Sequence, residues 1–140
     1  MKFEQSIHEG YAKKIKPDII KHKSLIISAN EAVYSAKKIP LESSTKKSII
    51  RELYEGLRQY CEAIGYLKGY KFESHESITY FIDEILHESF IAAKFDRYRR
   101  IRNGINYYGD DVPEETVKEA LKEIPLLIIQ LKKHYSHSIQ

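Results

Sequence analysis

Apolar residues recur at spacings of three and four along nearly the whole of this 140-residue chain. That period restricts the fold more than any other feature, because it is the signature of helices with one buried face. Nowhere does apolar–polar alternation run between hairpin-type turns, so no strand is predicted. A first helix is expected from Phe3 to about Lys14. Pro17 suits the first position of a second, long helix that ends near Lys38, before Pro40. On it Ile19, Ile26 and Val33 fall on one line and Ile20, Ile27 and Tyr34 on another, which predicts neighbours on more than one side. Ser43, Ser44 or Thr45 can cap a third helix running to about Leu67 and stopped by Gly69. Its seam is Ile49/Ile50, Leu53, Leu57, Tyr60/Cys61, Ile64 and Leu67. Gly56 and Gly65 interrupt that seam, each weakening an isolated helix by ~1 kcal/mol, and mark places where another backbone comes close.

After the loop GYKFES, Ser74 is the natural cap of a fourth helix with Ile78, Phe81/Ile82, Ile85 and Ser89 facing inward. It either breaks near Phe90 or runs on through Asp96. A further helix from about Ile91 to Tyr107 ends at Gly109. Pro113, followed by Glu114 and Glu115, opens the last helix, whose stripe is Val117, Leu121, Ile124, Ile128 and Leu131. Pro125 lies inside it and should kink it. The fold class is therefore all-α: a bundle of five or six helices with short loops. One domain spans residues 1–140, with a core at about 15–133 and a tail, 134–140, expected to fray.

Composition narrows the setting. Hydrophobic residues make up 42% and charged residues 31%, as in a globular chain with a highly charged surface. The longest aliphatic run is Leu126–Ile129, far short of the ~20 residues that cross a bilayer. The N-terminus lacks the apolar core of a secretory signal. Cys61 is the one cysteine, which excludes an internal disulfide or a cysteine-based zinc cluster. A cytoplasmic location with no membrane association is the expectation. Ile outnumbers Leu two to one while Lys and Glu are abundant. That is the pattern of a thermophile, and an AT-rich genome would produce part of it too.

Charge is concentrated in two blocks. Residues 73–93 hold Glu73, Glu76, Asp83, Glu84 and Glu88 without Lys or Arg. Residues 94–102 then hold Lys94, Arg97, Arg99, Arg100 and Arg102 against Asp96 alone. Neutralisation of the second block by the first, within the fold, is the favoured reading. Placed on a helix, Ile91, Phe95, Tyr98, Ile101, Ile105 and Tyr108 share one apolar arc. Arg102 falls inside it, Arg99 and Asn106 lie at its edge, and Asn103 lies just beyond. A guanidinium on a core face keeps its charge and must find acceptors. Arg102 then either ties helices together or, with Arg99 and Asn106, holds a phosphate, with Tyr98, Tyr107 or Tyr108 free to stack on a base. His75, at a helix start, is a candidate to cap or to pack against the arginine helix. His87 with Asp83 and Glu84 is a weak metal-patch candidate, set against the commoner surface pairing. His8, His22, His134 and His137 read as surface or tail residues, and Cys61 as core. No metal site or cofactor is expected, and no glycine-rich phosphate loop is present.

The stretch Leu53–Ile78, LYEGLRQYCEAIGYLKGYKFESHESI, followed after a gap by DRYRRIRNGINYYG, Asp96–Gly109, resembles archaeal members of the HEPN (higher eukaryotes and prokaryotes nucleotide-binding) superfamily. The resemblance covers about residues 15–133. It implies an antiparallel up-and-down helical bundle, usually dimeric. It also implies a module that binds RNA, nucleotide or a nucleotidyltransferase-type partner, in some members within a toxin–antitoxin system. Nuclease members carry Arg, often then a polar residue, and His after four to six intervening residues. Arg102-Asn103 matches the first half. The second half fails, since those spacings reach Tyr107, Tyr108 or Gly109. Tyr is a poor proton acceptor at neutral pH. The expected ligand-binding set is Arg99, Arg102, Asn103, Asn106 and Tyr107, with Tyr107 and His75 the only weak catalytic candidates. The alternatives are a metal-independent endoribonuclease toxin with a non-standard residue set, and a purely structural interaction protein. A homodimer is expected because two long helices carry wide apolar faces and 11 tyrosines exceed what one small core hides.

Overall fold

The computed structural model describes residues 2–135. Six α-helices form an all-α bundle: α1 (Lys2–His8), α2 (Ile19–Lys38), α3 (Lys46–Lys68), α4 (His75–Glu84), α5 (Ser89–Tyr108) and α6 (Glu114–Leu131). A single 3₁₀ turn, Lys132–His134, follows α6. None of the helices is long and apolar enough to cross a membrane.

The hub is α3, which packs against α2, α4, α5 and α6. Its seam is buried as the spacing predicts, from Ile49 and Ile50 through Leu53, Leu57, Tyr60 and Cys61 to Ile64. Both interrupting glycines sit at close approaches. A side chain at Gly56 would press on Val33 and come 3.1 Å from the Ala29 carbonyl oxygen of α2, and one at Gly65 would meet the Phe72 ring. Gly69 ends α3 in the left-handed conformation, φ +91°, with its N–H on the Gly65 and Tyr66 carbonyls. At the other end Thr45 holds the N-cap position but caps nothing. Its hydroxyl donates to the Pro40 carbonyl at 2.6 Å and accepts from the Glu42 N–H at 2.8 Å, so it braces the preceding turn.

Antiparallel packing of α2 on α3 follows from contacts that run in opposite directions. Asp18 N–H reaches the Tyr66 carbonyl, His22 Nδ1 the Ala63 carbonyl at 2.7 Å, and Asn30 the Tyr60 hydroxyl. Asp18, not Pro17, begins this helix, by accepting from the Lys21 N–H. Small residues (Ala29, Ala32, Ala36) make the buried face of α2. The second apolar line does not find the expected neighbour: Ile20, Ile27 and Tyr34 are 84%, 60% and 61% exposed. His22, expected at the surface, is fully buried, with its ring edge-on to Tyr135.

Two three-residue strands correct the all-helix expectation. The chain turns at Gly10, φ +84°, so α1 stops at His8 instead of continuing to Lys14. Ala12–Lys14 (β1) then pairs antiparallel with Tyr70–Phe72 (β2), Ala12 opposite Phe72 and Lys14 opposite Tyr70. Strands this short show no legible alternation. The ribbon and α1 carry Phe3 into an aromatic cluster with Tyr70, Phe72 and Phe81, so the core starts before residue 15.

Ser74 caps α4 as expected, accepting from the Ser77 N–H. The helix ends at Glu84, and the bend is made by His87 with φ +56°. Ser89 is therefore an exposed residue of α5, not an inward one of α4. His87, off the helix, does not share a face with Asp83 and Glu84, and no group of three metal-ligating side chains exists among the described residues. Pro125 lies within α6, which is helical on both sides of it. Tyr135, expected in the frayed tail, is buried against Tyr60 and His22, while 136–140 lie outside the described residues.

Candidate functional site

The apolar arc of α5 turns Ile91, Phe95, Tyr98 and Ile105 into the core, while Tyr108 is 80% exposed. Arg102, on the margin of that arc, is half-buried. Its guanidinium lies over the Tyr54 ring, 4.9 Å from the centroid. Nη2 donates to Nδ1 of His75 at 2.9 Å and Nη1 to Oδ1 of Asn103 at 3.1 Å. Three elements thus converge: Tyr54 from α3, His75 from the first position of α4, and Arg102-Asn103 from α5.

The basic block is paired except at Arg102, and not by the acidic segment before it. Asp96 accepts from Arg99 at 2.7 Å and from Arg100 at 2.7 Å, Arg97 pairs with Glu119, and Lys94 with Glu123. Burial works to raise the Asp96 carboxyl, but the hydrogen bonds from Arg99 and Arg100 outweigh it and hold it below the usual range. The acidic residues of 73–93 have other partners: Glu73 takes Lys13 and Lys71, Glu84 the Phe3 N–H, and Glu88 takes Lys133.

Arg102 has no such partner. Among the described residues it forms no ion pair, and neither does Arg51, which donates to Asn106 Oδ1 at 2.8 Å. Arg51, Arg102 and Asn106 line one shallow depression of about 310 Å³ between α3 and α5, together with Glu52 and Glu55. Arg58 and Gln59 already engage Glu55. Two guanidiniums therefore face one uncommitted carboxylate. Each is held by a neutral acceptor, which a phosphate oxygen can displace at little cost. Arg58, paired with Glu55 and Glu62, stands behind them.

His75 is set by this surrounding charge. Burial first, then Arg58, Arg102 and Arg99, pull its pKa down to about 4. A guanidinium has only donors, so Nδ1 must be the bare nitrogen and the neutral ring carries its proton on Nε2. The Tyr54 hydroxyl, also 2.9 Å from Nδ1, completes the contact, and burial holds that phenol well above its ordinary value.

Of the residues singled out from sequence, Arg102, Asn103 and His75 meet directly, and Asn106 joins them across the depression. Arg99 faces the other way, against Asp96 in a hollow lined also by Lys2, Glu76 and Tyr80. Tyr107 projects from the end of α5, 71% exposed. Neither Arg51 nor Tyr54 stands out in the sequence: Arg51 lies off the seam of α3 and Tyr54 within its core, and nothing in spacing ties Arg51 to Asn106, 55 positions on, or Tyr54 to Arg102. No family model matches the chain, and no curated protein matches it.

Proposed function

We propose that this chain is a HEPN-like binding module, working as a homodimer, that takes single-stranded RNA through its phosphates at the face between α3 and α5. The observation that carries the reading is the pair Arg51 and Arg102, two guanidiniums on facing helices, each bound only to an amide or imidazole acceptor. An arginine that served only to tie the helices would be expected on a carboxylate of the neighbouring helix, as Arg97 of α5 is on Glu119 of α6. The depression is open and shallow, which fits a strand laid across it better than an enclosed nucleotide. Tyr107 and Tyr108, exposed one turn beyond, offer rings for unpaired bases. A nucleotidyltransferase-type protein, within a toxin–antitoxin pair, is the partner such a module would accompany.

The endoribonuclease reading has one observation in its favour, His75 against Arg102. Its chemistry is wrong for proton transfer at neutral pH. Nδ1 is occupied by Arg102 and Tyr54, and the depressed pKa leaves a ring that neither accepts nor supplies a proton efficiently. As a donor from Nε2 the same ring suits a phosphate oxygen.

Titration of a short labelled RNA and of ATP into the protein, from about 50 to 200 mM salt, tests the reading. RNA binding that weakens with salt and is lost in Arg51→Gln/Arg102→Ala supports it. Equal RNA binding by that double variant overturns it. Tighter binding of ATP than of RNA would replace the strand by a free nucleotide.

A further inference from the structure

We propose that two copies of this chain pair antiparallel through the outer face of α2, about a two-fold axis at Ile27. This gives the homodimer of the preceding reading its interface. Helix α2 is 20 residues long and packs chiefly against α3, through its alanine face. Its opposite face carries Ile20, Ile27 and Tyr34, spaced seven residues apart and 84%, 60% and 61% exposed. The row is about 21 Å long at 1.5 Å per residue.

The occupant follows from the pattern of residues about Ile27, which is symmetric in kind. Seven positions to either side stand Ile20 and Tyr34, both large and apolar. Four positions to either side stand Lys23 and Glu31, opposite in charge. A two-fold perpendicular to the helix maps each position onto its mirror. Ile20 then meets Tyr34 of the second copy, Ile27 meets Ile27, and Lys23 lies level with Glu31, twice over. Lys23 and Glu31 are both exposed, and among the described residues neither forms an ion pair within its own chain. Glu31 is the sole acidic residue of a helix that otherwise carries Lys21, Lys23, Lys37 and Lys38. Parallel pairing would set Lys23 against Lys23 and Glu31 against Glu31, so charge selects the antiparallel arrangement. The self-complementary face is what an isologous contact requires. A partner of another sequence would not need this symmetry.

A single helix pair is smaller than most permanent interfaces, so the dimer should dissociate in the micromolar range, ~1–100 µM. Sedimentation velocity over that range tests it, with a thermal melt of each variant to verify folding. Wild type should pass from one copy to two as concentration rises. Ile27→Glu, which sets two like charges on the axis, should weaken association by about 100-fold or more. Lys23→Glu and Glu31→Lys should each weaken it by roughly tenfold, and the double exchange should restore it. A wild-type dimer indifferent to Ile27→Glu would overturn this interface and leave the homodimer standing. A wild-type monomer throughout would overturn both. RNA binding, read on the same variants, reports on Arg51 and Arg102 separately, because those residues lie on α3 and α5.

Discussion

Arg102 donates to Nδ1 of His75 across 2.9 Å, joining two residues 27 positions apart in the chain. The bond orients both partners. Because a guanidinium only donates, the bond fixes the neutral imidazole with its N–H on Nε2, across the ring from Arg102. Arg102 is thereby held by neutral acceptors and forms no ion pair among the described residues, although Glu52 lines the same depression.

Arg102→Ala should lower RNA affinity by about 10- to 100-fold, the loss of a charged hydrogen-bonding group. Arg102→Lys should recover only part of it, because an ammonium neither stacks flat on Tyr54 nor offers a fork of donors. Fluorescence anisotropy with a labelled oligonucleotide measures both. Full affinity in the alanine variant would place the RNA elsewhere.

Arg51→Gln separates binding from folding. Arg51 is exposed, so stability should stay within about 0.5 kcal/mol of wild type. The slope of log affinity against log salt should shrink by about 0.7, one phosphate contact on a single strand. An unchanged slope would remove Arg51 from the site.

His75 should make stability depend on pH. Its folded pKa, about 4, lies below the ordinary value of 6.5. The unfolded chain therefore binds the proton first, and stability is lost as pH falls from 6.5 towards 4. His75→Gln should lack that component. Discounted for partial exposure, the difference should amount to roughly 1 kcal/mol between pH 7 and pH 4, read from denaturant curves of the two proteins. Parallel pH profiles would show that His75 is not held neutral.

Cleavage of structured or single-stranded RNA in EDTA at pH 6–9 should stay at background. General acid–base groups supply ~10²–10⁴-fold, and neither Tyr107 nor a weakly basic His75, its bare Nδ1 engaged by Arg102 and Tyr54, replaces one. Turnover that disappears in Tyr107→Phe or His75→Ala would restore the nuclease reading.

Gly56→Ala should destabilise by about 1–3 kcal/mol, although alanine favours a helix by ~1 kcal/mol. The added methyl would press on Val33 and the Ala29 carbonyl of α2. A raised melting temperature would mean that α2 moves aside without cost.

Periodicity alone determined the helices of this protein and most of their ends. A seam at spacings of three and four leaves one buried face, and where that seam stops, Ser74, Gly69 and Gly109 supply the cap at the helix end. Arg102 is conspicuous for the same reason, a charge that the helical period sets inside an apolar arc and that the structure leaves half-buried at its margin. The partners of Arg102 were decided by tertiary structure. Tyr54, His75 and Arg51 reach it only because α3, α4 and α5 pack together, and no local spacing encodes that meeting. The same holds for α2. Both of its apolar lines look alike in sequence, and only the packing of its alanines on α3 left Ile20, Ile27 and Tyr34 outside. Local rules act over one turn of backbone, whereas burial is a property of which surfaces meet.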